Sequence, residues 1–466
     1  MTGIAFLLNG TPVRITDQPP TRTLLDWLRE ARGLTATKEG CNEGDCGACT
    51  VMVSDAIGPR AMNACILFLP QLHGKSVRTV EGIGTPAAPH PVQAAMVEHH
   101  ASQCGFCTPG IVASLAAAHA AGRTDHEIAL AGNLCRCTGY APILRAAEAI
   151  AAAAPPAWLE TDAAIIQAQI SAEGSGEAAG LPGAHRPMTT GQLADLYLAH
   201  PDATLIAGAT DVGLWVTKGL RELPTPIFLN AIPELQRIER LGDRLRIGAG
   251  VTVAAFRAAT RASHPGLSRM LDRFASDQVR QAATVGGNIA NGSPIGDLPP
   301  PLIALEARLH LRRGDLRREI ALEDFFLEYR KQDRHPSEFV EAVTIPATAP
   351  SLKVWKVSRR AEQDISSVLG AFDLRFSGDV VSHARIAFGG MAGIPKRARV
   401  TEAALLGQSW DQARDKALAA LAQDFQPLSD LRASAAYRLG AAQALLERYF
   451  LERICVRTDL AEVGQW

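Results

Sequence analysis

Eight of the nine cysteines fall between Cys41 and Cys137, and only Cys455 stands apart. Thiols crowded in this way are taken up by disulfides or by metal. Disulfide frameworks of such density belong to small exported domains. Here a long cysteine-poor remainder follows, and the N-terminus carries no basic stretch; Ile4–Leu8 runs straight into a hairpin turn at Asn9–Gly10. Metal binding is the better reading, and a soluble, cytoplasmic protein is expected. No run of 18 apolar residues predicts a membrane span; the nearest, Ala146 to Leu159, is broken by Glu148 and Pro155–Pro156. With 47 Lys+Arg against 48 Asp+Glu, a net charge of -1 gives no reason to expect nucleic acid.

Spacing narrows the metal. Cys41-x4-Cys46-x2-Cys49, followed by Cys65, matches the plant-type 2Fe-2S ferredoxin pattern at its first three positions, while the fourth cysteine arrives sooner. Gly40, Gly44 and Gly47 interleave these residues, as a loop turning its N–H groups toward sulfur requires. Structural zinc favours paired C-x2-C units, so iron–sulfur is preferred. Cys104-x2-Cys107 with Cys135-x-Cys137 forms a second quartet, which by itself fits zinc as well. Cys107 directly precedes a helix start at Thr108–Pro109, whose N-terminus favours negative charge. Arg136 either adds positive charge there or is simply solvated. Cys455 fits neither quartet and reads as a plain buried thiol.

Residues 1–82 alternate short strands (Ile4–Leu8, Val13–Ile15, Thr50–Val53, Ser76–Val80) with one helix, Thr23–Arg32, and suggest a small α+β domain of ferredoxin type. Residues 83–160 predict four short helices, three opened by Pro91, Pro109 and Pro142 and one by a capping box from Thr124 to Glu127. Residues 161–186 read as an Ala/Gly/Ser/Glu-rich linker, with at most transient helix over Ile165–Ile170. Residues 187–346 form a Gly-rich α+β region with strands at Thr204–Ala207, Leu245–Ile247 and Leu309–Leu311. Residues 347–466 begin with a hairpin, Val368–Phe376 and Val380–Phe388 about Ser377-Gly378-Asp379. They end in a helix from Leu431 to Phe450, with Leu431, Ala435, Leu439, Ala442, Leu446 and Tyr449 on its core face. No Gly-x-Gly-x-x-Gly follows a strand, and Gly248-Ala-Gly250 is the nearest miss, so Rossmann binding is disfavoured. Leu205–Val212 and Thr284–Ile289 are Gly-rich stretches that let backbone amides approach a pyrophosphate; singly, each is explained as well by a tight turn.

Glu39-Gly-Cys-Asn-Glu-Gly-Asp-Cys-Gly-Ala-Cys49, Gln103-Cys-Gly-Phe-Cys-Thr-Pro-Gly110 and Gly132-Asn-Leu-Cys-Arg-Cys-Thr-Gly-Tyr140 together resemble the molybdenum hydroxylases, the xanthine dehydrogenase and aldehyde oxidase family. The resemblance implies a multidomain α+β chain. It would contain a β-grasp 2Fe-2S ferredoxin domain, a helical 2Fe-2S bundle and a non-Rossmann FAD domain of PCMH type. A C-terminal sheet-plus-helices subdomain follows, which Phe388-Gly-Gly-Met391 fits. It assigns one cluster to Cys41, Cys46, Cys49 and Cys65, nearer the flavin. The other, on Cys104, Cys107, Cys135 and Cys137, would lie nearer a molybdenum cofactor. Leu205, Ile206, Ala207, Gly208, Ala209, Thr210, Asp211 and Val212 match the FAD pyrophosphate turn. Phe274, Thr284, Val285, Gly286, Gly287, Asn288 and Asp297 match positions around the flavin and its ribityl chain, and Ala275–Arg280 fits as well. Val340 and Lys356 match further flavin contacts. Tyr329 matches an aromatic on the nicotinamide side, or is a core tyrosine. Ser358–Asp364 resembles a variable loop beside the flavin.

The chain ends at Trp466 with no molybdopterin domain, so a large molybdopterin-binding partner subunit is expected, in an α2β2 heterotetramer. The resemblance implies electron transfer during oxidation of hypoxanthine and xanthine to urate, with NAD+ as acceptor and no catalytic residue on this chain. The alternatives are the same role with an aldehyde, CO or aromatic substrate, or a zinc-stabilised assembly subunit without redox function.

Overall fold

The computed structural model describes residues 3–173, 180–454 and 458. They form two compact units, one of residues 1–234, 252–254 and 275–284, the other of 235–251, 255–274 and 285–466.

The first unit opens with the expected hairpin. Asn9 and Gly10 both take positive φ (52° and 82°), as a two-residue turn matching strand twist demands, and pair Ile4 with Ile15 and Leu8 with Thr11. The sheet order is Thr11–Ile15, Ile4–Leu8, Ser76–Arg78, Thr50–Asp55, Gly58–Asn63. Its first connection to Ser76–Arg78 is parallel. The edge strand Gly58–Asn63 is not legible in advance, because Pro59 and Arg60 hide its alternation. Leu24, Leu25 and Leu28 pack on the sheet with Phe6 and Trp27, whose rings meet edge-on at 5.6 Å. Burying each such side chain contributes roughly 1.5–3 kcal/mol. The covering helix starts as an α turn at Leu24–Asp26 and widens over Trp27–Ala31, where the Arg32 N–H reaches the Trp27 carbonyl.

Next come helices Pro91–Glu98, Thr108–Ala120, His126–Leu130 and Ala141–Ala149, the prolines standing in their first turns. The capping box from Thr124 does not form: the helix starts at His126 with Asp125 as its cap residue and no side-chain cap. Arg123 grips the Asp125 carboxylate through Nε (2.8 Å) and Nη2 (3.1 Å), which takes that group away from the helix end.

The expected linker also needs correction. Its first part continues a helix from Trp158 to Glu173. Asp162 on that helix is buried and receives Arg78 through Nε and Nη2, both at 2.7 Å, and the Ser76 hydroxyl at 2.7 Å. Trp158 lies 3.9 Å from the Arg78 guanidinium. Loss of one partner from such a buried pair costs about 3–5 kcal/mol. The helix is therefore anchored to the sheet by side chains that composition does not reveal. Residues 174–179 and Cys455 lie outside the described residues.

The unit continues with helix Thr190–Ala199, a parallel pair Thr204–Ile206 and Pro226–Phe228, and helix Val212–Thr217, and it includes helix Asp277–Ala282 from farther along the chain.

The second unit holds an antiparallel five-stranded sheet in the order Leu316–Ala321, Arg308–Arg313, Phe339–Pro346, Arg244–Gly248, Ile238–Leu241. A parallel dinucleotide-binding sheet is not what forms here. A second sheet runs Leu352–Val357, Val368–Ser377, Val380–Gly389, Lys396–Arg397 and packs against Trp410–Asp424 and Ala435–Arg453. Ser434 caps that last helix, so Leu431 precedes it and is 79% exposed, contrary to expectation, while Ala442, Leu446 and Tyr449 are buried. Among the described residues no helix is long and apolar enough to cross a membrane.

Candidate functional site

The loop ahead of strand Thr50–Asp55 turns its backbone donors onto sulfur. The N–H of Asp45 and of Cys46 reach Cys41 Sγ at 3.3 and 3.2 Å, that of Cys41 reaches Cys46 Sγ at 3.3 Å, and that of Gly44 reaches Cys65 Sγ at 3.2 Å. Cys65 stands on a tight turn, Ala64–Ile66, and with Cys49 is buried; Cys41 and Cys46 are half-buried. Two glycines have no substitute. Gly44 has φ +80° and a Cβ there would meet Ile66 Cδ1 at 2.6 Å; Gly47 has φ +69° and its Cβ would meet the Gly132 carbonyl at 2.0 Å. The hydrogen bond between the two thiols pulls Cys41 down to about 5 and pushes Cys46 up. Hydrogen bonding to Cys49, then burial, raises Cys65. Two thiol pairs, Cys41 with Cys46 and Cys49 with Cys65, set among N–H donors, fit a cluster of two irons that would take two thiolates each.

The second quartet is more open. Cys104 and Cys137 are exposed with sulfurs 3.6 Å apart, Cys107 is half-buried and Cys135 buried. Tyr140 holds this loop in a rare conformation, φ +67°: its hydroxyl accepts from the Cys135 N–H at 2.8 Å and donates to the Asn133 carbonyl at 3.2 Å. Cys107 precedes helix Thr108–Ala120 as expected. Burial, then hydrogen bonding to Cys135, nevertheless pushes its thiol up to about 12; a bound metal favours the thiolate. Arg136 is exposed, as a solvated arginine would be. Among the described residues no three His, Cys, Asp or Glu converge as ligands of a single ion. Two irons, each taking two thiolates, do not require it.

In the first unit, Leu205–Val212 forms a strand, a turn and a helix start, with Ala209 at φ +59°. Gly208 lies so close to the chain that a Cβ would meet the Ala282 carbonyl at 1.8 Å, two residues before Thr284. Burial raises the Asp211 carboxyl. In the second unit, Val285–Asn291 is a helix, so Gly286 and Gly287 open a helix and neither is among the positive-φ glycines. Gly286 is needed by the protein itself: its Cβ would meet Ala249 Cα at 2.7 Å. Gly287 is exposed. Asn288 Oδ1 accepts from the Leu298 N–H at 3.4 Å, next to Asp297. Asp297 is buried and receives Lys356 Nζ at 2.7 Å and the Ser366 hydroxyl at 2.6 Å. Each carboxylate oxygen keeps a lone pair for a further donor. Ser366 carried no advance signal. Nor did Arg273, which donates to the Lys356 carbonyl at 2.7 Å beside buried Phe274. Val340 is buried in the central strand of the five-stranded sheet. Tyr329 is 59% exposed, which excludes the core reading.

Four family models match along the chain: a 2Fe-2S iron-sulfur cluster binding domain at residues 6–68 and a 2Fe-2S binding domain at 79–148, then the FAD binding domain in molybdopterin dehydrogenase at 178–348 and the CO dehydrogenase flavoprotein C-terminal domain at 353–453. Xanthine dehydrogenase of Emericella nidulans is 33% identical over 91% of this chain and 36% of its own length. Xanthine dehydrogenase of Drosophila subobscura is 32% identical over 99% of this chain and 40% of its own. The chain thus spans about two fifths of the length of these curated relatives. A solved carbon monoxide dehydrogenase from Hydrogenophaga pseudoflava matches with a TM-score of 0.54 and 31% identity, over 57% of this chain and 94% of that one. With both iron–sulfur domains and both flavoprotein domains present in this order, the chain belongs to the molybdenum hydroxylase family, among its iron–sulfur and FAD chains.

Proposed function

We propose that the chain is the electron-transfer part of a xanthine dehydrogenase, carrying electrons from a molybdenum centre on a partner chain to NAD+. The observation that carries the reading is the pair of cysteine loops, each folded around its own four sulfurs. When bound, the two clusters carry single electrons and the flavin collects two for hydride transfer.

The chain's own residues supply position and charge. N–H groups of Cys41, Gly44, Asp45 and Cys46 stabilise thiolate charge at the first quartet. Exposed Cys104 and Cys137 leave the second quartet accessible to a partner. Asn288, Asp297 and Lys356 are proposed to hold the flavin and its ribityl chain, Asp297 being held in place by its ion pair with Lys356. The Leu205–Val212 turn is proposed to present backbone amides to the pyrophosphate. Phe274, Thr284 and Val340 complete the assignment. A purine substrate is part of the proposal, supported by the names of the xanthine dehydrogenase relatives; NAD+ as acceptor and an α2β2 assembly with a large molybdopterin subunit are proposed with it.

A second reading, the same role with another substrate, is favoured by the likeness to carbon monoxide dehydrogenase. Anaerobically purified protein should contain four irons, one FAD and two distinguishable 2Fe-2S signals by electron paramagnetic resonance. Zinc in place of iron overturns the proposal. Assay of the co-purifying complex with xanthine, an aldehyde and CO separates the two substrate readings.

A further inference from the structure

Between the two cysteine loops lies a buried polar network that the proposed function does not use. The Leu134 N–H donates to the Cys46 carbonyl at 3.0 Å. Leu134 precedes Cys135, so one hydrogen bond joins a proposed ligand of one cluster to the peptide leading into a ligand of the other. Asn133, one residue before Leu134, donates from Nδ2 to the Gly47 carbonyl at 3.1 Å and accepts the Ser114 hydroxyl at 2.7 Å on Oδ1. The Thr50 hydroxyl donates to that same Gly47 carbonyl at 2.7 Å.

Into this network reaches one side chain from far along the sequence. Gln278 Nε2 stands 2.9 Å from Asn133 Oδ1, 3.2 Å from Ser114 Oγ and 3.3 Å from Thr50 Oγ1. Gln278 is 1% exposed, and its amide packs so tightly on Gly132 that a Cβ there would meet Gln278 Oε1 at 2.0 Å. Its helix, Asp277–Ala282, is held by Arg123, whose Nη1 meets buried Asp277 at 2.7 Å. The helix ends two residues before Thr284, the start of the proposed flavin stretch.

We propose that Gln278 is a positioning residue for electron transfer: through Asn133 and Thr50 it fixes the Cys46–Leu134 hydrogen bond that links the two cluster loops. The inference rests on the reading of the quartets as two 2Fe-2S sites. With both clusters bound, one electron would pass from the second, which is oxidised by it, to the first, which is reduced, with no bond made or broken and no proton moved. The side chain acts only on the alignment of the loops. Low-dielectric burial makes each of these hydrogen bonds costly to lose.

The test uses the holoprotein and Gln278→Met, a change of similar volume that removes the donors. Iron and flavin content should stay at the parent level. The magnetic splitting between the two reduced centres should change, and electron re-equilibration between them after pulse reduction should slow. Hydrogen exchange at the Leu134 amide should rise by about tenfold, the factor one lost hydrogen bond carries. Adding Asn133→Ala to Gln278→Met should fall well short of the sum of the two single effects, because Asn133 carries one of the contacts through which Gln278 acts. Unchanged splitting and exchange overturn the inference, as do fully additive effects. Loss of either centre in Gln278→Met also overturns it, since Gln278 would then be required for folding and not for alignment. If the parent protein lacks 2Fe-2S signals the proposed function fails, and the exchange comparison still decides whether Gln278 clamps the loops.

Discussion

Cys49 and Cys65 are 2% and 0% exposed within the core of the ferredoxin-like sheet, whereas Cys104 and Cys137 lie at the surface of the helical bundle. The first loop depends on glycines at positive φ, with Asn63 and Asn133 bracing it through the Gly44 and Gly47 carbonyls. The second hangs on Tyr140 and leaves half its thiols in reach of solvent. The contrast teaches that ligand spacing does not set a site's exposure; the surrounding core does. It also makes the two sites separable by mutation.

The largest effect should come from Cys65→Ser. It is expected to remove the first 2Fe-2S signal and to destabilise the sheet, because a more polar hydroxyl then replaces the thiol in the core, at a cost of about 1–3 kcal/mol. Cys104→Ser should remove only the second signal and leave the melting temperature unchanged. Equal loss of stability in both variants would break the comparison.

Gly47→Ala comes next. Its Cβ meets backbone at 2.0 Å where φ is +69°, so a penalty of at least about 1–3 kcal/mol is expected by denaturant titration, with the first signal lost before the second. Tyr140→Phe should act on the other side, leaving the Cys135 N–H unpaired at about 1–3 kcal/mol and broadening the second signal alone. Gly287→Val should lower FAD content with both iron signals kept. Gly287 is exposed and without positive φ, so the effect measures blocked approach and not backbone strain.

The smallest effect concerns pH. Burial, then the neighbouring His119 ring, lowers His90 from 6.5 to about 4, and its Nδ1 accepts the Val92 N–H at the start of helix Pro91–Glu98. The folded state thus keeps His90 neutral while the unfolded chain protonates it. Its contribution is whole above pH 6.5 and is lost as pH falls toward about 4. Helix fraying by hydrogen exchange should begin in that window in the bundle, and His90→Asn should flatten the dependence.

Much of this was legible in the sequence. Cysteine spacing, Asn9–Gly10 and the helix-opening prolines are local signals, and each matches an element of the fold. The strand Gly58–Asn63 and the helix Trp158–Glu173 were not legible, because their stability comes from partners elsewhere. Arg78 must meet Asp162 before the segment after Pro156 has reason to stay helical on the sheet. The candidate flavin residues were legible only as a family pattern. Their chemistry depends on Lys356, Ser366 and Asp297 meeting from separate strands and loops, which no local spacing encodes.

The helix Asp277–Ala282 packs with residues 1–234 although it lies more than forty positions beyond them. During synthesis the N-terminal part emerges first, yet Arg123, Asn133 and Ser114 receive their last partners only once residue 278 has left the ribosome. The iron–sulfur half is therefore finished by the flavin half. A fragment cut at residue 234 would carry all eight clustered cysteines and still lack the partners that Asp277 and Gln278 give to Arg123, Asn133 and Ser114.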